Sequence, residues 1–286
     1  MSGIVWLASY PKSGNTWFRV FLTNLQRNAD TPTNINALEA TPIASARRLF
    51  DDAVGYESGD LTLEEVDRLR PRVYEHLAAT TAETLYLKTH DAYTLTDTGE
   101  PLLSAAATQG ALYFLRNPLD VCVSFAHHST CDVETMLQAM GHTGYTLAAQ
   151  TDRLPHQLRQ RLLSWSQHVL SWVEGAPFPV LVVRYEDMHQ RPLEAFARAA
   201  AFAGLPHEPE RVARALSQSC FAELQNQERA HGFREKLPRV ASFFRQGTMG
   251  SWRQRLTPAQ ARQIICAHRE VMQRFGYLTA ADEPVF

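Results

Sequence analysis

The sequence predicts an α/β protein of three layers, a central parallel sheet flanked by helices. Three observations carry that expectation. Short apolar runs at 3–9, 84–90, 111–115 and 179–187 each finish in, or are followed directly by, a polar residue, as strands of a buried parallel sheet are. Stretches with helical spacing of apolar residues lie between and after them. The first run leads into a small, Gly-containing loop and then a helix. That arrangement aims backbone N–H groups and the positive end of a helix at an anion.

Length and composition bound the rest. At 286 residues the chain is long enough for one large α/β domain, and 45% apolar content fits a sizeable core. We expect a single domain over 1–286. A net charge of −2 gives no support for a nucleic-acid coat or a membrane-surface role, so any anion site must be local. Cys122, Cys131, Cys220 and Cys266 form no C-x-x-C pair and read as reduced thiols. No charged leader precedes an apolar stretch, and no run approaches the ~20 apolar residues of a membrane span. The expectation is a soluble cytoplasmic enzyme with no nucleic-acid or membrane partner; a homodimer is left open.

The loop is Tyr10-Pro11-Lys12-Ser13-Gly14-Asn15-Thr16-Trp17. The nucleotide-binding pattern G-x-x-x-x-G-K-[ST], laid over it, gives Ser9, four residues, Gly14, Asn15 and Thr16. The spacing is kept, but Asn15 stands at the lysine position and Lys12 lies inside the loop. An ordinary Mg-nucleotide site is disfavoured on that ground. The bland alternative is a strand-to-helix turn with an exposed lysine.

A helix is expected from Thr16 to Arg27, then a loop over Asn28–Asn36, then mostly helix over 37–82, with a start near Asp60–Glu65. The second strand ends at Lys88-Thr89-His90. Ligands of open parallel sheets bind beyond the carboxyl ends of strands, so His90 is a candidate base and Lys88 a candidate cation. Each could instead be a solvated strand-end residue. The third strand ends at Arg116, Pro118 opens the next helix, and Ser124 lies two turns into it. A guanidinium fork suits phosphate, although a salt bridge from Arg116 to Asp120 would explain it as well. Ser124 could equally be a small packing residue. His127 and His128 are rival catalytic histidines. Residues 129–157 read as a mobile acceptor-side segment. Leu158–Glu174 reads as one amphipathic helix stopped by Gly175, its tryptophans in the core. The fourth strand is expected to be buried. At its end Tyr185 could be edge packing, and Glu186-Asp187 could be a metal pair or a structural cap. Pro192–Ala203 is helical. Residues 226–247 read as a second mobile segment, and a last helix starts at Thr257-Pro258 and ends at Gly276.

Four segments, in order, resemble the sulfotransferases that use 3′-phosphoadenosine 5′-phosphosulfate (PAPS). They are Tyr10–Trp17, Lys88-Thr89-His90, Arg116-Asn117-Pro118-Leu119-Asp120 running to Ser124, and Phe244-Arg245-Gln246-Gly247 running to Arg253. The resemblance covers nearly the whole chain and implies a P-loop NTPase-like fold. It also implies roles. Lys12, Ser13, Gly14, Asn15, Thr16 and Trp17 would hold the 5′-phosphosulfate end, with Trp17 on one face of adenine. His90 would be the general base, and Lys88 a cation near the transferred group. Arg116, Ser124, Arg245, Gln246 and Gly247 would meet the 3′-phosphate. Tyr185, Ser219 and Phe221 would line the nucleotide site, with Phe221 stacked on adenine. The family pattern in the last segment is Arg-Lys-Gly, and Gln246 replaces its lysine, removing one cation. PAPS would be the donor and 3′-phosphoadenosine 5′-phosphate (PAP) the product. The acceptor would be a small-molecule hydroxyl, with an amine as second choice, and no metal is expected. Two rivals stand beside this reading. One is a Mg-ATP-dependent small-molecule kinase using Glu186-Asp187. The other is a catalytically silent nucleotide-binding protein.

Overall fold

A computed structural model describes residues 3–286. In chain order the elements are β1 (Ile4–Ser9), α1 (Asn15–Arg27), α2 (Arg47–Val54), α3 (Leu63–Thr80), β2 (Leu85–Thr89), β3 (Thr108–Leu115), α4 (Pro118–Ser129), α5 (Val133–Gly141), β4 (Thr146–Leu147), β5 (Gln160–Arg161), α6 (Trp165–Val173), β6 (Val180–Arg184), α7 (Tyr185–Gln190), α8 (Pro192–Phe202), α9 (Pro209–Gln218), α10 (Phe221–His231) and α11 (Pro258–Arg274). The main sheet has the order β2-β1-β3-β6. β1 and β2 pair in parallel from Ile4↔Leu85 to Ala8↔Thr89, so their carboxyl ends coincide. β1 is buried throughout, which is why its sequence reads as an unbroken apolar run. β4 and β5 form a separate antiparallel ribbon.

The chain divides into two compact units, each assembled from three stretches. The first holds residues up to Tyr10, Ala40–Tyr113 and His142–Val182. The second holds Pro11–Glu39, Phe114–Gly141 and Val183–Phe286. In the first, Trp6, Leu7, Leu87, Leu112, Trp165 and Trp172 are almost fully buried. In the second, Phe18, Phe21 and Phe196 form an aromatic core with centroid spacings of 4.6–5.8 Å. Helix starts follow local chemistry. Thr62 with Glu65, Ser164 with Gln167 and Thr257 with Gln260 are reciprocal capping boxes, satisfying N–H groups that the first turn leaves over.

Several expectations change. The helix expected from Leu158 begins at Trp165, because the chain before it is non-helical, with strand at Gln160–Arg161 and Leu163 at φ 59°. Leu158 N–H donates to the Ser45 carbonyl and Leu162 N–H to that of Tyr145. The fourth strand is a half-buried edge that ends at Arg184, and Tyr185 and Glu186 open α7. The segments expected to be mobile both contain helix. α5 buries Met136, Leu137 and Met140, and α10 extends over 226–231.

Candidate functional site

Within the first unit, His90 follows the last residue of β2. Its Nδ1 lies 2.8 Å from the Ser9 carbonyl oxygen and 3.2 Å from Ser9 Oγ. A carbonyl only accepts, so Nδ1 carries a proton, and in the neutral ring the lone pair is then on Nε2. That is the tautomer of a base. Lys88 is buried, and its backbone is fixed on both sides, N–H to Pro42 and carbonyl from Ala44. Behind His90, the Asp91 carboxylate accepts from Arg70 Nη2 at 2.5 Å and from Arg161 N–H at 2.9 Å. Arg70 and Asp91 are both inaccessible to solvent.

All the other residues expected at the nucleotide fall in the second unit. The loop reaches α1 through Lys12 at φ 71° and Gly14 at φ 97°. A Cβ on Gly14 would lie 2.8 Å from the Tyr185 ring, so glycine is required by backbone and neighbour together. No side chain caps α1 at Gly14. Asn15 is buried and Thr16 nearly so. Arg116 ties this loop to a later one. Its Nη1 donates to the Lys12 carbonyl (3.0 Å) and its Nη2 to that of Thr248 (2.9 Å). Its guanidinium lies 4.2 Å from the Tyr185 ring centroid. The salt bridge to Asp120 considered from sequence is replaced. Asp120 accepts instead from Gly250 N–H, Ser251 Oγ and Trp252 N–H. Two polar atoms, Ser13 Oγ and Arg116 Nε, are buried without a hydrogen-bond partner. Such groups are costly unless something satisfies them, and an anion on this loop fits both.

The aromatic residues flank that cradle. Trp17 contacts Tyr185, His189 and Phe196, and its Nε1 also lacks a partner, as does His189 Nε2. Burial holds His189 neutral, its pKa lowered to about 4 with Arg116 adding to the effect. Trp17 and Phe221 pack on one apolar cluster with Val20, Leu224 and Phe244. Phe221 closes on Gly247, where a Cβ would meet its ring at 2.4 Å. Ser219 is buried, but its Oγ bonds back to the Ala215 carbonyl. Ser124 is half-buried in α4 and Gln246 is exposed.

Three residues that sequence reasoning passed over belong to this region. The Phe243 ring lies 3.9 Å from Lys12 Nζ, a cation–π contact. Glu228 accepts from Phe243 and Phe244 N–H, fixing that strap. Arg255 raises the positive field. The Arg245 pKa is lowered by burial, then by Arg255 and Arg116, the pattern of gathered cations. His127 feels the same field, its pKa lowered by burial, then by Arg245 and Lys12. The acidic pair of the kinase alternative is already engaged. Glu186 accepts from Asn117 N–H and Tyr277 OH, and Asp187 lies 3.4 Å from Arg191 and 3.8 Å from Arg184.

A sheet whose first strand feeds a phosphate-type loop and helix, with cations gathered in the unit that holds the loop, defines the P-loop NTPase-like fold class. The sulfotransferase domain family model matches residues 3–276, and the chain belongs to that family. It is similar to sulfotransferase 6B1 of Danio rerio, 26% identical over 263 residues, covering 90% of this chain and 74% of the relative. Sulfotransferase 1A1 of Canis lupus familiaris is 25% identical over 287 residues, 94% of this chain and 83% of the relative. Among solved structures, mouse sulfotransferase SULT7A1 complexed with PAP matches with a TM-score of 0.56 at 20% identity, over 95% of this chain and 84% of the other. Retinol dehydratase in complex with retinol and PAP matches with a TM-score of 0.61 at 18% identity, over 96% and 82%. These likenesses carry the fold.

Proposed function

We propose that the chain transfers a sulfuryl group from PAPS to the hydroxyl of a small-molecule acceptor, with His90 as general base. The observation that supports this most directly is the His90 tautomer, which leaves Nε2 able to take the acceptor proton. Bound PAPS supplies a sulfuryl group already activated on a phosphate leaving group. Lys12, the loop N–H groups, Ser13 and Thr16 hold the 5′-phosphosulfate end, where negative charge grows on the departing phosphate. Positioning and electrostatic stabilisation dominate such transfers. Lys88 assists at the transferred group. Arg116, Ser124, Arg245 and Arg255 hold the 3′-phosphate, Arg255 making good the cation that Gln246 lacks. Trp17 and Phe221 take the two faces of adenine, and Tyr185 backs the loop. In this reading the enzyme works as one domain, in the cytoplasm, without a metal.

Calorimetric titration with PAP, and with ATP as control, both without magnesium, tests the donor site. Tight binding of PAP and none of ATP is expected. Magnesium-dependent ATP binding would put the kinase reading first. With PAPS and a panel of hydroxylated acceptors, His90→Ala should keep PAP affinity and lose about 10²–10⁴-fold in turnover. Retained turnover would move the base to His127 or His128.

A further inference from the structure

The backbone around His90 is gripped by one face of α6. His168, Ser171 and Trp172, spaced i, i+3 and i+4, meet three backbone groups of residues 90–93. His168 Nε2 lies 3.1 Å from the His90 carbonyl oxygen. A carbonyl only accepts, so Nε2 is the protonated nitrogen. His168 Nδ1 must then accept, and the Tyr113 hydroxyl donates to it at 2.8 Å. Trp172 Nε1 donates to the Asp91 carbonyl at 3.0 Å. Ser171 Oγ accepts from Tyr93 N–H at 3.0 Å while donating to the His168 carbonyl at 2.8 Å. The His168 ring also meets Tyr10 edge-on, with centroids 5.3 Å apart, and Tyr10 directly follows the Ser9 whose carbonyl receives the His90 proton.

Space-filling does not explain this set. His168 and Trp172 are fully buried, and an apolar helix face would fill the same volume without the desolvation cost of an imidazole. Instead both imidazole nitrogens of His168 are engaged, one of them on the His90 carbonyl. Burial lowers the His168 pKa to about 4, so the ring stays neutral near pH 7 and keeps a single donor.

We propose that α6 is the positioning element of the base. His168, helped by Ser171 and Trp172, fixes the 90–93 backbone so that His90 keeps Nδ1 on the Ser9 carbonyl and Nε2 as its proton-accepting nitrogen. This rests on the assignment of His90 as base. His168 itself is a positioning residue, acting through the His90 backbone.

The test has two independent readouts. Long-range ¹H–¹⁵N spectra of histidine-labelled protein, assigned with His90→Gln and His168→Gln, should show His90 as the Nδ1–H tautomer and His168 as the Nε2–H tautomer. Either histidine in the opposite tautomer overturns the proposal, and this needs only the wild-type fold. His168→Phe should then mix the His90 tautomers and lower kcat about 10- to 100-fold, since small misplacements of a reacting group cost up to ~100-fold. PAP affinity should stay within about twofold, and His168→Gln, which keeps a side-chain donor, should recover most of kcat. An unchanged His90 tautomer with kcat within about twofold of wild type in His168→Phe would refute the role. If His90→Gln retains full turnover, the assignment of the base has failed, while the tautomer spectra still decide whether α6 holds the segment.

Discussion

Asp120→Asn is the sharpest probe of how the Arg245–Gly250 segment is held. In the native chain Oδ2 accepts from Gly250 N–H at 2.7 Å, and Oδ1 accepts from Ser251 Oγ and Trp252 N–H, each at 3.0 Å. Asparagine keeps the shape but turns one acceptor into a donor. Its best placement leaves the amide oxygen on Ser251 and Trp252 and points NH₂ at the Gly250 N–H, donor against donor. Hydrogen bonds to a charged group contribute about 1.5–3 kcal/mol and neutral ones about 0.5–1.5, so the two retained bonds lose roughly 1 kcal/mol each. The stranded N–H adds about 1 kcal/mol or more, for a total near 3. Local opening of residues 243–254 should become easier by about 100-fold, at 1.4 kcal/mol per factor of ten. Hydrogen exchange of the Phe243, Phe244 and Trp252 amides reads this directly. PAP affinity should fall by the factor by which the closed, binding-competent fraction is depleted, at most the ~100-fold change in opening. Exchange rising less than about threefold, with unchanged PAP affinity, would refute the reasoning. It would mean that Glu228 and Arg116 suffice to hold the segment.

Three further outcomes are expected. Gln246→Lys should tighten PAP binding several-fold at low salt, and the gain should shrink as salt is raised, as for any added exposed cation; a gain indifferent to salt would argue against a phosphate contact. Asp91→Ala should cost about 3–5 kcal/mol in urea unfolding, because the buried Arg70 would keep only Asp67, 3.5 Å away, as an acidic partner. A loss under about 1 kcal/mol would show that Asp67 alone can balance it. Glu186→Gln should be pH-dependent. Burial, the largest influence, raises the Glu186 pKa in the folded state, so its protonated form favours folding. Its contribution is fully present below the unfolded value of 4.5 and is lost as pH rises through the folded value. The variant should therefore gain stability relative to wild type at pH 7.5, and the gain should vanish toward pH 4. Urea midpoints that differ by the same amount at both pH values would contradict this.

Strands and loop were legible because their chemistry is local. An unbroken apolar run, Gly14 before a helix and the terminal polar residues of β2 need no distant partner to be read. Leu158 and Leu162 misled, since their i, i+4 spacing imitates a helix while their N–H groups pair with Ser45 and Tyr145 far along the chain. The capping box from Ser164 to Gln167 was the better signal for that start. α5 was hidden by the glycines and polar residues around it, although Asp132 accepts from Thr135 N–H as a helix-starting acid does. The loop residues were recognisable by type, but not the use made of Arg116. Its bonds to two carbonyls, one of them on residue 248, depend on contacts that no local pattern encodes. The grip of α6 on residues 90–93 was out of reach for the same reason.

The interleaving of the two compact units bears on biosynthesis. Neither is a continuous stretch of sequence. The first has all its residues once Val182 has left the ribosome, whereas the second needs Val183–Phe286 as well. Meanwhile Pro11–Glu39 and Phe114–Gly141 are already made and must wait for their partners. α1 is an example. The Leu25 carbonyl receives Arg211, and Arg19 pairs with Glu235, each about two hundred residues downstream. A stalled or prematurely terminated chain would therefore display the apolar face of α1, including Phe18 and Phe21, to chaperones and proteases. Late truncations should reveal themselves first as loss of nascent-chain solubility, before any question of activity arises.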